Sequence, residues 1–285
     1  MKSAAPVRFG EGNPAFAVPE QKSHSSHPST VRDGIRLKAT RFEFRFRVAI
    51  ICVLYFLGFF APWERFGAAA SPYPRRLWSW LAILLARNNL LSLGNAYLVV
   101  TIATVTIAIL GALLRVWGTA YLGNFVMRHP AMQAGAVMAA GPYRYLRNPL
   151  YLGMMLTASA VAVLMPVSGA VVFLAGMLLL TIRLIAAEEF FLSAQLGPDY
   201  ALYRKSVPSI LPMARTRPAA SPARPRWLQG IVAESFPVGT AACFAILAWS
   251  YDADLLTRCI LVCFGGSLIV HALISTRKMP AAMIR

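Results

Sequence analysis

Charge is scarce in this sequence: only 14% of its 285 residues are charged, and only 11 are acidic. A soluble domain carries about a quarter charged residues. A chain this poor in them, 58% hydrophobic with a mean hydropathy of +0.57, is not one that water alone solvates. Cysteine and histidine number four each. Cys52, Cys243, Cys259 and Cys263 all fall inside apolar runs, with Cys259 and Cys263 on one helix face, whereas His24 and His27 lie near the start and His271 stands alone near the last run. Neither a disulfide framework nor a metal site is expected, because a metal needs converging His or Cys ligands. Residues 1–47 hold no apolar segment of signal-peptide length, so no cleavable signal is expected. The final Ala-Met-Ile-Arg is no prenylation box.

What the chain has instead is apolar runs close to the roughly 20 residues that cross a bilayer. Six are read as spans: Val48–Ala61, Ala96–Leu114, Leu150–Pro166, Val167–Ala186, Phe236–Tyr251 and Leu255–Ile274. Aromatic neighbours suited to the interface, such as Phe44, Phe46 and Trp63, extend the short first run. The stretch Leu77–Leu93 is broken by Arg87, Asn88 and Asn89 and reads as an interfacial helix. The fold class expected is therefore all-α, a polytopic membrane bundle of about six transmembrane helices.

The net charge of +17 invites a nucleic-acid reading, but the basic residues flank the apolar runs. With the N-terminus inside, 22 of the 28 Lys/Arg fall in cytoplasmic segments, and the positive-inside rule favours that orientation. Both termini are then cytoplasmic, and no nucleic-acid partner is expected. The organisation read is a basic tail over 1–47, a core over 48–212, a Pro/Ala/Arg-rich linker over 213–235 and a C-terminal hairpin and tail over 236–285. A cytoplasmic membrane of bacterial type is the expected location.

Two stretches carry chemistry. In Gly141-Pro-Tyr-Arg-Tyr-Leu-Arg-Asn-Pro-Leu-Tyr-Leu-Gly153, Pro149 suits the first turn of a helix, whose free amides and positive dipole end favour an anionic group. Tyr143, Tyr145 and Tyr151 offer faces to a purine or a sulfonium cation. Composition alone is also met by an ordinary helix start with interfacial anchors. Further on, Arg183 lies about a turn inside the fourth span, ahead of Glu188 and Glu189. An intramembrane charge is costly and marks a functional candidate, although a snorkelling arginine at a hydrated helix end has the same appearance. Adjacent glutamates cannot share one helix face.

Taken together, Gly141-Pro142-Tyr143, then Arg147-Asn148-Pro149 with Tyr151 and Gly153, then Glu188-Glu189 eight residues before Gly197, with Tyr200, Tyr203 and Val207 beyond, resemble the isoprenylcysteine carboxyl methyltransferase and phospholipid methyltransferase superfamily. The resemblance covers roughly residues 96–212 and includes Arg115, Trp117 and Leu122-Gly123. It implies an integral membrane methyltransferase that uses S-adenosyl-L-methionine (SAM) without a Rossmann domain. Carried over by position, Gly135, Ala136, Val137, Met138, Tyr143, Asn148, Pro149, Leu150, Tyr151 and Glu188 would line the cofactor site. The family's substrate-side arginine falls near Leu184, with Arg183 displaced from it by one residue. Two departures stand out: Asn148 and Gly135 replace histidines. Arg128-His129-Pro130 repeats the family's tripeptide without the following Tyr-x-Gly and is read as a decoy.

A sulfonium is an activated methyl donor, so positioning and exclusion of water can supply most of the catalysis. A carboxylate acceptor needs no base. No residue stands out as a base for an amine, which leaves the acceptor open between a lipophilic small molecule and a lipid-modified one, with membrane lipids as the surrounding partners. Gly10-Glu11-Gly12 lies in the tail and makes no nucleotide loop. The alternatives carried forward are an NADPH-dependent sterol-type reductase and a non-enzymatic transporter or scaffold. Neither the catalytic residues nor the oligomeric state is assigned.

Overall fold

The computed structural model describes residues 39–60, 76–122, 140–211 and 223–276, within which the regular elements are helices. Among these residues nine α-helices follow in chain order: α1 Arg41–Arg45, α2 Arg47–Phe60, α3 Leu77–Arg87, α4 Leu93–Leu122, α5 Pro149–Ala162, α6 Val167–Ser206, α7 Trp227–Ala233, α8 Ser235–Leu247 and α9 Ala253–Thr276. Short 3₁₀ turns occupy Gly141–Arg144 and Ala248–Ser250.

Among the described residues three helices are long and apolar enough to cross a membrane, Leu93–Leu122, Val167–Ser206 and Ala253–Leu273. Trp227–Ala233 and Ser235–Ser250 make a fourth if their 80° bend is counted as a broken span. The bundle is thus all-helical with three to four candidate spans, against the six runs read from hydropathy. Length explains the difference. The 14 residues of α2 and of α5 reach only about 21 Å at 1.5 Å per residue, short of the roughly 30 Å hydrocarbon core. At 11 residues α3 is shorter still. Conversely, α6 runs 20 residues past the apolar run that predicted it, with a break at Gly197, whose φ of 54° and ψ of −126° only glycine adopts readily.

Helix ends at one side of the bundle satisfy one another. The turn between α5 and α6 exposes carbonyls, and α3 begins with amides that have no intrahelical partner. Leu77 N donates to the Met165 carbonyl at 2.9 Å and Trp78 N to Val163 at 2.8 Å, while the Arg76 guanidinium reaches the Leu164 carbonyl at 2.7 Å. Arg76 also pairs with Asp254 and bonds Thr257 Oγ1 at 3.2 Å, which ties the start of α9 to this end. Cys243 and Cys263 place their sulfurs 3.6 Å apart across the α8–α9 contact.

The central contact is α4 against α5, made by small residues in the manner of membrane helices. A Cβ on Gly153 would meet Arg115 Cγ at 2.6 Å and the Gly111 carbonyl at 2.9 Å. Gly153→Ala is therefore expected to force the helices apart and to cost about 1–3 kcal/mol. Thermal unfolding of the detergent-purified protein reads this, with Gly94→Ala as a control because an added methyl there meets nothing within 4 Å. An unchanged midpoint for Gly153→Ala would refute the close crossing.

Candidate active site

The polar groups gather at the other end of the bundle, where α4 finishes, α5 starts and α6 leaves its apolar stretch. Pro149 takes the first position of α5, where its missing N–H costs nothing. Asn148, the N-cap residue, makes no side-chain cap bond. Its amide nitrogen instead turns to Glu189 Oε1 at 3.2 Å and Ser209 Oγ at 3.0 Å. The amides of the first turn of α5 are thus not capped by that side chain.

Within the first turn of α5, the Tyr151 hydroxyl donates to Glu188 Oε1 at 2.9 Å. Tyr143 is buried in the preceding 3₁₀ turn, and its carbonyl accepts from the Tyr203 hydroxyl at 2.8 Å. Burial, reinforced by the Glu188 carboxylate nearby, pushes the Tyr143 phenol above its usual range, so it stays a neutral donor. Leu150 packs on α4, where a Cβ on Gly118 would meet its side chain at 2.7 Å and the Tyr143 hydroxyl at 3.6 Å.

The adjacent glutamates divide two tasks. Glu188 faces Tyr151, whereas Glu189 receives Arg147 Nη2 at 2.9 Å and Nε at 3.1 Å, together with Ser209 Oγ at 3.2 Å. Arg147 also bonds the Arg204 and Val207 carbonyls at 2.9 and 2.8 Å, and backbone bonds join Arg147 N to Pro208 and Asn148 N to Ser209. Glu189 and Arg147 therefore clamp the 147–149 segment to the far end of α6. Sequence reasoning gave them no such role, and the signal was there only as a second carboxylate beside Glu188.

Arg183 goes elsewhere. Its Nε and Nη2 each lie 2.8 Å from a carboxylate oxygen of Glu43, and its carbonyl accepts from Ala39 N at 3.0 Å. Thr40 and Glu43 form a reciprocal capping box at the start of α1, so the pair fastens that helix to α6. Hydrogen bonding to Arg183 is the main reason the Glu43 carboxyl drops from 4.5 to about 2. A lowered folded-state value contributes stability that is complete above pH 4.5 and is lost as pH falls toward 2. Hydrogen exchange over residues 39–46 is expected to be flat in protection from neutral pH down to the ordinary carboxylate range. Release should come only in stronger acid, and release already at pH 5 would overturn the assignment.

A third cluster enters from outside the stretch that carries the motifs. Glu234, in the bend between α7 and α8, is 5% exposed. It accepts from Arg115 Nε at 2.5 Å, Arg115 Nη2 at 3.0 Å and Thr119 Oγ1 at 2.6 Å. The remaining guanidinium nitrogen of Arg115 donates to the Leu150 carbonyl at 3.2 Å. Helix α7 lies along the last turns of α4, with Arg226 N bonded to Ala120 O at 2.9 Å and Gly230 close against Val116. Glu234 thus holds Arg115, and Arg115 holds the first turn of α5.

Of the residues read from the sequence, Tyr143, Leu150, Tyr151 and Glu188 come together here, with Asn148 and Pro149 at the α5 start. Gly135, Ala136, Val137 and Met138, and the tripeptide Arg128-His129-Pro130, lie outside the described residues. The donor set suits an adenosyl cofactor: a carboxylate for hydroxyl or ammonium groups, a helix start for a carboxylate, and aromatic faces. Among known families, residues 90–199 match the one described as phospholipid methyltransferase. No curated protein and no solved structure matches the chain.

Proposed function

We infer that this chain, a member of the phospholipid methyltransferase family through residues 90–199 and so a SAM-dependent membrane methyltransferase, methylates a lipophilic acceptor beside Tyr151 and Glu188. The observation that carries the placement is the Tyr151–Glu188 hydrogen bond of 2.9 Å at the start of α5. SAM supplies a methyl group already activated on a sulfonium. Glu188 binds the cofactor's hydroxyl or ammonium groups through its carboxylate, and Tyr151 fixes the orientation of that carboxylate. Behind Asn148 and Pro149, the first-turn amides of Leu150 and Tyr151 would receive the cofactor's carboxylate, and Tyr143 closes the wall beneath. Gly135–Met138 complete the site in this reading.

The chain needs no dedicated base for an acceptor that arrives as an anion. Its contribution is to hold the accepting atom in line with the methyl group and to keep water out. Glu189 and Arg147 keep the loop in place, while Arg183 keeps α1 on α6. All six apolar runs sit in the bilayer in this proposal, α2 and α5 with the help of their flanks, and the Tyr151–Glu188 end faces the cytoplasm because most Lys/Arg flank it.

Transfer of label from methyl-tritiated SAM into the organic-soluble fraction of native membranes tests this reading directly. Incorporation by the wild type and its loss in Glu188→Ala are expected. Label confined to the aqueous phase would overturn the lipophilic acceptor.

A further inference from the structure

An apolar slot of about 190 Å³ lies between α2, α5, α8 and α9. Val161 and Ile260, 0% and 4% exposed, form its floor. Phe56, Phe60 and Leu261 form its rim and are themselves exposed, so the slot opens sideways toward the bilayer. Tyr55, Phe236 and Phe264 make the walls, and their rings brace one another: Tyr55 lies edge-on to Phe236 at 6.1 Å and Phe236 to Phe264 at 5.4 Å. Rings locked in this way do not collapse into the space between them. Water finds few polar partners there, since Thr257 Oγ1 is already bonded to Arg76 and to Ala253 O. An unfilled apolar cavity weakens a fold, whereas a hydrocarbon chain from the bilayer would fill this one.

Position selects which chain. Phe236 lies in the first turn of α8, two residues after Glu234, whose carboxylate holds Arg115, and Arg115 holds Leu150 beside Tyr151. The Phe236 wall of the slot therefore adjoins the Glu234–Arg115 pair that braces the polar end where methyl transfer is placed. Its walls come from α2, α8 and α9, outside residues 90–199, so they are additions of this chain to the methyltransferase segment. Resting on the function proposed above, we propose that the slot takes a hydrocarbon chain of the methyl acceptor, with the C-terminal helices as its specificity wall. The acceptor is then an amphiphile whose polar head reaches the Arg115–Tyr151 level while one chain lies against Tyr55 and Phe264.

The test uses the full chain in lipid nanodiscs holding a trace of phosphatidylethanolamine with a diazirine in one acyl chain. Photolabelling is mapped by mass spectrometry, with SAM affinity and methyl incorporation into lipid measured on the same samples. Strong labelling of Phe56, Phe60 and Leu261 is expected, well above that of the exposed Val262 and Leu179. Cys52→Trp and Leu261→Trp fill the slot from opposite walls. Each should abolish the labelling and lower methyl incorporation about tenfold or more at unchanged SAM affinity, which also certifies folding. Labelling no stronger than at Val262, or undiminished incorporation in a filled variant that still binds SAM, would overturn the slot. A wild type that binds no SAM overturns the underlying function instead and takes the acceptor assignment with it.

Discussion

Glu188→Gln is expected to weaken SAM binding by about 10- to 100-fold, while its neighbour Glu189→Gln leaves the affinity of the folded protein far less changed and lowers stability instead. The first figure follows from losing hydrogen bonds to a charged group, worth about 1.5–3 kcal/mol. Glutamine keeps the shape of the side chain but removes the charge and turns one acceptor oxygen into a donor. Tyr151→Phe, which deletes the donor at 2.9 Å from Glu188 Oε1, should cost a smaller factor because it removes one hydrogen bond, about 0.5–1.5 kcal/mol. Glu189 has a different duty: it receives two guanidinium nitrogens of Arg147 and keeps residues 147–149 against the end of α6. Calorimetric titration of each variant with SAM separates the two glutamates. Equal loss of affinity in both, at equal stability, would show that the division between them is wrong.

The second large effect belongs to the pair outside the motifs. Glu234→Ala leaves Arg115, whose side chain is 24% exposed, without its carboxylate. Breaking a buried ion pair by removing one partner costs about 3–5 kcal/mol, whereas replacing both partners with apolar residues is often neutral. The partial exposure of Arg115 puts the expectation at the lower end of that range. Arg115→Met combined with Glu234→Leu should recover most of the loss, although the Leu150 carbonyl then loses its guanidinium donor. Unfolding free energies of Arg115→Met, Glu234→Leu and the double variant give the coupling energy. Single variants as stable as the wild type would mean that the C-terminal helices merely lean on the core.

Much of this fold was written in the hydropathy. The runs behind α4, α6 and α9 are apolar over enough residues that helix and burial in lipid follow together. The break after Leu77–Arg87 was legible too, because Arg87, Asn88 and Asn89 interrupt the run where α3 stops. Less legible was the extension of α6 to Ser206: its residues from Glu188 onward are too polar for a span, and they are held by bonds to Tyr143 and Arg147 and by the buried cluster of Tyr200, Tyr203 and Val207. The shortness of α5 was hidden as well, since Val163–Pro166 is apolar yet folds as a turn because α3 amides satisfy its carbonyls.

At the site, Tyr151 and Glu188 were readable as types because a tyrosine at a helix start and a carboxylate at a span end are unusual in a chain with so few charges. Their pairing across 37 residues was not. Nor was the partner of Arg183, since Glu43 stands 140 residues away in a basic tail. Glu234 carried the fairest unheeded hint. An acidic residue immediately before an apolar run is costly unless a cation awaits it, and Arg115 at the end of another run is that cation.

Cofactor choice tests the central claim most directly. Calorimetric titration of the detergent-purified full chain with SAM, S-adenosylhomocysteine and NADPH should give saturable binding of both adenosyl ligands, weakened in Glu188→Gln, and none of NADPH. Binding of NADPH alone, or SAM binding indifferent to Glu188, would contradict the site at the start of α5.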